Sequence, residues 1–236
     1  MEYIIRKKKQ KFKVISFNIK SCQESDLESL IEYIYKKKPD IVCLQEVDKC
    51  SKYCEKNICE EFFKKLNFDS RYLKTIDRRG KGEYGICILS RYLIKDYKKF
   101  YYNTYNEKRG IQMIQVYIPF FKKNINIFNT HLDYKNSRNS QVEEFLNIVN
   151  KYKNDDCILC GDLNLNPTED IYKIISQNFK KINYNNTYSA KRPKQILDYI
   201  LIHKNSDFIY EYEVDNIKLS DHKPLICNIY NAKFLK

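Results

Sequence analysis

The sequence predicts an α/β fold: a four-layered α/β sandwich in which two packed, mixed and mostly antiparallel β-sheets are flanked by helices. Three observations predict it. Short segments rich in β-branched and aromatic residues outnumber segments with helical spacing. The two kinds follow one another in mixed order rather than in strict alternation. The chain has 236 residues, is 43% hydrophobic, and contains no Pro/Gly/Ser-rich linker and no internal repeat, so it is expected to fold around one sizeable core.

Each element has its own warrant. Residues 13–19 (KVISFNI) alternate and are rich in β-branched and aromatic side chains, which reads as a strand. Ser25-Asp26-Leu27-Glu28 has the capping-box pattern. Leu27, Leu30, Ile31 and Ile34 follow at helical spacing, and Pro39 closes that helix. Residues 40–44 form a short buried strand ending at Gln45-Glu46, and a second helix spans about 51–66. Segments 68–74, 84–90, 94–102, 111–118 and 124–129 read as strands, separated by turn residues such as Arg79-Gly80-Lys81-Gly82 and Pro119. A helix carries Val142, Phe145, Leu146 and Val149 on one face, followed by a strand at 156–160 and a short helix after Pro167. Strands at 196–202, 208–214 and 225–230 complete the order. Residues 1–12 read as a basic N-terminal tail and 13–236 as a single domain.

Net charge is +13, of which the first 13 residues hold +5. Such a balance attracts nucleic acid, anionic headgroups and other phosphates; the Lys-, Ile-, Asn- and Tyr-rich composition that A/T-rich codons favour explains it equally well. The nine cysteines are odd in number, and many sit in apolar strand-like runs. Free thiols in a reducing compartment are therefore expected rather than a disulfide framework. Cys50, Cys54 and Cys59 form a looser group with weak zinc character. Cys157 and Cys160 lie three apart on a strand and point to opposite faces. No stretch is apolar enough for a signal peptide or a membrane span. An intracellular, cytoplasmic or nuclear, monomeric protein is the expectation.

The chemistry-bearing residues share one position. Apolar strand runs end repeatedly in a polar group: Phe17 in Asn18, Leu44 in Gln45-Glu46, Thr130 in His131, Gly161 in Asp162-Leu163-Asn164, Leu197 in Asp198, and Ser220 in Asp221-His222. Strand ends present side chains to clefts. Taken singly, each has a plainer reading. Glu46 is a loop residue, His131 a hydrogen-bonded structural imidazole, and Asp162-x-Asn164 turn chemistry. The joint pattern is what argues for a site.

That pattern resembles the endonuclease/exonuclease/phosphatase family, which includes pancreatic deoxyribonuclease, the abasic-site endonucleases, neutral sphingomyelinases and inositol polyphosphate 5-phosphatases. The pieces stand in the family's order as SFNI (16–19), PDIVCLQEV (39–47), YGICILSR (84–91), NTHLD (129–133), GDLNLNP (161–167), ILDYIL (196–201) and LSDHKPL (219–225). The resemblance implies a Mg²⁺- or Mn²⁺-dependent hydrolase of phosphoester bonds with water attacking phosphorus in line. It implies metal ligation by Asn18, Glu46 and Asp221. Asp162 would orient or deprotonate the water, and Asn164 would hold a phosphate oxygen, lying on one extended face with Asp162. His222 would contact the phosphate and move a proton, Asp198 would orient His222, and His131 would be the second imidazole. Arg109 would grip the phosphate through its bidentate fork, against the plain reading of a solvated arginine at a strand start. Arg138 and Gln141 match a family R-x-x-Q feature, read here as capping and packing. Carboxylate and amide oxygens suit a hard cation, which neutralises charge developing on phosphate oxygens.

Two departures narrow the branch. The abasic-site endonucleases carry Tyr where this chain has His131 and a Trp near the ILDY element, and this chain has no Trp. Ile86 stands where many relatives have Asn. A nuclease or DNA-end-processing phosphodiesterase is the first expectation, with Arg78-Arg79 meeting phosphates and Phe100-Tyr101-Tyr102 offering rings to bases. A hydrolase of lipid headgroups or small phosphoesters is the alternative. A non-catalytic phosphate-binding module is the least expected.

Overall fold

The computed structural model describes residues 10–104, 107–135, 137–182 and 184–231. Arg6, Lys7, Lys8 and Lys9 of the basic tail lie outside the described residues. Among the described residues, eleven strands and four α-helices follow one another. They are β1 (Phe12–Asn18), α1 (Leu27–Lys37), β2 (Ile41–Lys49), α2 (Ile58–Leu66), β3 (Asp69–Asp77), β4 (Glu83–Ser90), β5 (Ile94–Tyr101), β6 (Gly110–Ile118), β7 (Lys123–His131), α3 (Arg138–Asn150), β8 (Asp156–Asp162), α4 (Asp170–Asn178), β9 (Asp198–Ile202), β10 (Phe208–Val214) and β11 (Leu225–Asn231).

Six strands form one sheet in the order β10-β11-β1-β2-β4-β3, and five form the other in the order β5-β6-β7-β8-β9. Among the described residues only β1–β2 and β7–β8 pair in parallel. Three apolar clusters give the layers. Val14, Ile41, Cys43 and Ile88 of the first sheet meet Ile114, Ile127, Ile158, Cys160 and Ile200 of the second. Behind the first sheet, Ile15, Phe17, Val42 and Leu44 pack under Leu30, Ile34 and Phe62 of α1 and α2. Behind the second, Phe128, Leu159 and Tyr199 pack under Val142, Phe145 and Ile175 of α3 and α4. The order helix, sheet, sheet, helix is the predicted four-layered sandwich. Central strands bury both faces, so β1 and β8 read as apolar runs, whereas the edge strand β5 is mostly exposed.

Several local expectations need correction. Asp26, not Ser25, caps α1: its side chain accepts from Ser29 N at 2.7 Å, while Ser25 Oγ donates to Leu219 O. The second helix starts at Ile58 rather than 51, because Ser51 turns back to the buried Asp48 through its hydroxyl. Strand β2 does not stop at Gln45-Glu46 but continues to Lys49 through a register shift between Leu44 and Val47. Strand β9 begins at Asp198, not at 196.

All nine cysteines are free, and Cys157 and Cys160 face different clusters on either side of the second sheet. Among the described residues no helix is long and apolar enough to cross a membrane.

Candidate active site

Strand direction gathers the polar groups. Parallel β1 and β7–β8 end at one rim of the sandwich, delivering Asn18, His131 and Asp162. Their antiparallel neighbours β6, β9 and β11 start at that same rim, which brings Arg109, Asp198 and the Asp221-His222 pair to it. Glu46 arrives differently. It occupies the bulge in β2 with φ of 53°, and the bulge re-aims its side chain toward Asn18. The turn after β1 runs through left-handed φ at Lys20, Ser21 and Cys22, a conformation that costs energy at each non-glycine residue. Ser21 Oγ bonded to the buried Asp48, and Arg78 donating to both, hold this turn in place.

The side chains form a connected network. Asn18 Nδ2 donates to Glu46 Oε1 at 3.0 Å and to Asp162 Oδ2 at 2.9 Å, so one amide keeps the two carboxylates apart. Asn18 Oδ1 accepts from Lys20 N. Asn164 N donates to Asp162 Oδ1 at 2.9 Å, and Asn164 Nδ2 donates to Leu132 O at 3.0 Å and lies 3.2 Å from His131 Nε2. Arg109 Nη1 lies 2.7 Å from His131 Nδ1. His222 Nδ1 lies 2.8 Å from Asp198 Oδ2. The Nε2 atoms of both imidazoles stand 3.6 Å from Asp162 Oδ2. Asp221 Oδ2 pairs with Lys20 Nζ at 3.1 Å.

Burial and charge set the protonation states. Burial, with the Asp198 charge adding to it, raises Asp162 to about 7 against the opposing pull of His222, Asn18 and the Asn164 N–H. Burial opposes charge on His222, but Asp198, Asp162 and Asp221 outweigh it and push the ring up to about 10. His131 moves the other way, held well below the ordinary imidazole value by burial, the Arg109 guanidinium and His222. The two rings of one cleft are therefore a charged and a neutral imidazole.

All nine predicted site residues are brought together. Glu46, Arg109, His131, Asp162, Asn164, Asp221 and His222 line one cleft of about 510 Å³, while Asn18 and Asp198 bond from behind. Asn164 is not on an extended face with Asp162: its φ is 51°, and the left-handed turn folds its amide back toward His131. Arg109 is not a solvated arginine, being 9% exposed and bonded to His131. Arg138 does more than cap: it donates to Asn164 O and pairs with Glu169, bracing the loop that carries Asn164. Gln141 accepts from Asp133 N. Arg78 is committed to Asp48 and stacked on Tyr84, 4.2 Å from its ring centroid, rather than turned to a ligand. Tyr102 is buried against Thr130.

Sequence reading missed Tyr188, whose ring lies 4.7 Å from that of His222, and Tyr134, which is 62% exposed at the cleft. It also missed the Lys20–Asp221 pair. A lysine two residues after a strand-end Asn carries no local signal of a partner two hundred residues away. Among the described residues, Asp162, Asp198 and His222 are the group whose ligand atoms lie within 4.8 Å of one another and could hold a metal ion; Cys50, Cys54 and Cys59 do not form such a group. The wider donor set of Glu46, Asp162, Asp198, Asp221 and the Asn18 amide is oxygen-rich, contains no thiolate, and leaves buried Asp198 Oδ1 without a partner. It fits a hard divalent cation.

Comparison with known proteins agrees with this fold. The model of the Endonuclease/Exonuclease/phosphatase family matches residues 15–222. Solved structures share the fold at low identity. The catalytic domain of human Nocturnin with bound sulfate is 19% identical, with a TM-score of 0.73 over 93% of each chain. A beta toxin variant from Staphylococcus aureus with bound magnesium ions is 16% identical, with a TM-score of 0.74 over 94% of this chain and 100% of that one. A mannosyl-6-phosphatase from Bacteroides thetaiotaomicron is 16% identical, with a TM-score of 0.72 over 92% and 99%. No curated protein sequence matches the chain.

Proposed function

The chain belongs to the endonuclease/exonuclease/phosphatase family of phosphoester hydrolases, and on that premise we propose that it is a Mg²⁺- or Mn²⁺-dependent phosphodiesterase acting on nucleic acid. The observation that carries the chemistry is the convergence of Glu46, His131, Asp162, Asn164, Asp221 and His222 on one open cleft. Nucleic acid is favoured by the mouth of that cleft. Tyr134 exposes its ring there with Lys135 Nζ 5.0 Å from its centroid, and the exposed Lys191, Arg192 and Lys194 precede Gln195 on the rim. Exposed rings and cations beside a phosphate-binding cleft suit a stacked, anionic polymer.

Glu46 and Asp221 would hold the cation; Asn18, expected as a third ligand, turns its Nδ2 to Glu46 and its Oδ1 to Lys20 N, and so would hold Glu46 in place rather than the cation. When bound, the cation supplies positive charge against the phosphate oxygens. The protein's own groups do the rest. Asp162 is a buried carboxyl that titrates near neutrality, placed to orient the attacking water and accept its proton. Asn164 donates to a phosphate oxygen. His222, charged and fixed by Asp198, stabilises the negative charge of the transition state and returns a proton to the leaving oxygen. Arg109 adds its charge behind His131.

The test is turnover of single- and double-stranded DNA, RNA, sphingomyelin, phosphoinositides and sugar phosphates, with Mg²⁺ and with chelator. Hydrolysis of a nucleic acid, lost on chelation while circular dichroism is unchanged, is expected. Glu46→Ala, Asp162→Asn and His222→Ala should each lower kcat by at least ~100-fold with the fold intact. Turnover of lipid or sugar phosphates alone would sink the nucleic-acid reading. Unchanged activity in all three variants would overturn the roles.

A further inference from the structure

His131 and Asn164 approach each other with two nitrogens 3.2 Å apart. Two nitrogens at that distance form a hydrogen bond only if one of them accepts, and the surroundings decide whether either can. Arg109 is bonded to the far ring nitrogen of His131, Nδ1, at 2.7 Å. A guanidinium has donors and no acceptor, so Nδ1 must offer its lone pair. The neutral ring then carries its hydrogen on Nε2. Asn164 is fixed independently. Its Nδ2 donates to the carbonyl of Leu132 at 3.0 Å, and a carbonyl cannot donate in return, so the amide nitrogen faces His131. Both nitrogens are therefore donors. The nearest carboxylate oxygen, Asp162 Oδ2, stands 3.6 Å from His131 Nε2, beyond hydrogen-bond length.

We propose that Arg109 is a positioning residue that locks His131 in its Nε2–H tautomer, so that His131 and Asn164 present two N–H donors to a single phosphoryl oxygen of the substrate. Two donors converging on a point without an acceptor lose hydrogen bonding until an anionic oxygen arrives, and that oxygen satisfies both. Further contacts hold the device. Glu107 Oε1 faces Arg109 Nη2 at 3.1 Å as an ion pair without hydrogen-bond geometry, and Arg138 anchors the carbonyl of Asn164. Buried Arg109 Nε has no partner, so the guanidinium's orientation rests on His131 and Glu107. Arg109 thus acts through the imidazole rather than by gripping the phosphate itself. The phosphoryl half of the proposal rests on the hydrolase reading above; the tautomer half does not.

The test exploits a chain with three histidines. Nitrogen NMR of the imidazoles near neutral pH, with the His131 signals identified by their loss in His131→Gln, reads the tautomer without any turnover. The wild type should show an unprotonated Nδ1 and a protonated Nε2 on His131. Arg109→Met should release the ring to a mixture of tautomers or to Nδ1–H, and Arg109→Lys, which keeps a cationic donor, should restore Nε2–H. In turnover, Arg109→Met should lower kcat by at least about 10-fold with KM little changed, and Arg109→Lys should recover part of it. A wild-type ring protonated on Nδ1, or a tautomer unmoved in Arg109→Met, would overturn the lock. The lock with a raised KM at unchanged kcat would overturn the donor pair and return Arg109 to direct phosphate binding. A wild type that shows the lock but hydrolyses no phosphoester removes the function and leaves the lock standing.

Discussion

At the scale of single residues, burial works in opposite directions on chemically identical groups, and the nearest partner decides the outcome. His222 and His131 are the clearest case, since one faces carboxylates and the other a guanidinium. The same logic separates two thiols. Cys22, in the left-handed turn after β1, hydrogen-bonds the sulfur of Cys54 and lowers that thiol to about 7, while its own is raised. Cys54 also borders a surface groove with Asp26, Glu28 and Lys56, which gives a reagent access. A thiol titrating near 7 keeps a minor but larger thiolate fraction slightly below neutral pH than an ordinary thiol does, and the thiolate is the nucleophile. Limited alkylation with iodoacetamide slightly below neutral pH should therefore label Cys54 ahead of the other cysteines, as read by peptide mass spectrometry. Cys22→Ala should slow that labelling. First labelling of any other cysteine, or no effect of Cys22→Ala, contradicts the account.

At the scale of elements, the strand ends were legible because a buried apolar run followed by a carboxylate, amide or imidazole marks where a strand leaves the core. Asn18, His131 and Asp162 were readable in this way. What the residues did not encode locally was strand direction. Asp198 and His222 stand at strand beginnings, and they reach the same rim only because β9 and β11 run antiparallel to β8 and β1. The bulge at Glu46 was equally hidden, since pairing with the neighbouring strand enforces it; the left-handed turn at Asn164 instead follows the turn preference of Asp162-x-Asn164, with Asn164 N bonded to Asp162. One glycine makes this dependence testable. Gly161 pairs with Thr130, and a Cβ there would come within 2.2 Å of Thr130 O. Gly161→Ala must push β8 away from β7 one residue before His131 and Asp162. The expected cost is about 1–3 kcal/mol, seen as a Tm lowered by about 3–10 °C. A fall in kcat of about 100-fold should accompany it, because a displacement of about 1 Å matters that much in a positioned site. A variant matching the wild type in both measurements would show that the strands tolerate the methyl group.

At the scale of the whole molecule, the two sheets meet mainly through apolar side chains, and near the site a polar clamp joins them. Asn129 on β7 donates to the carbonyls of Leu44 and Cys87 in the opposite sheet, and its Oδ1 accepts from Gln45 Nε2 at 2.8 Å. Gln45 is the residue beside Glu46, so the clamp secures the bulge as well as the sandwich. Asn129→Ala takes a side-chain donor from two buried carbonyls, while Gln45 Nε2 keeps Ser16 Oγ and Cys43 O as acceptors. It should lower stability by about 2–4 kcal/mol in urea denaturation; a loss under about 0.5 kcal/mol, the usual range of a surface change, would assign the holding of the sheets to the apolar core alone. The order of strands carries one more consequence. β11 inserts between β1 and β10, so β1 must wait for a strand about two hundred residues further along the chain to cover its edge. During translation the intervening residues leave the ribosome with that edge open. Chaperone binding is therefore expected to concentrate on nascent chains that have not yet released Leu225, and hydrolytic activity to emerge abruptly once β11 docks.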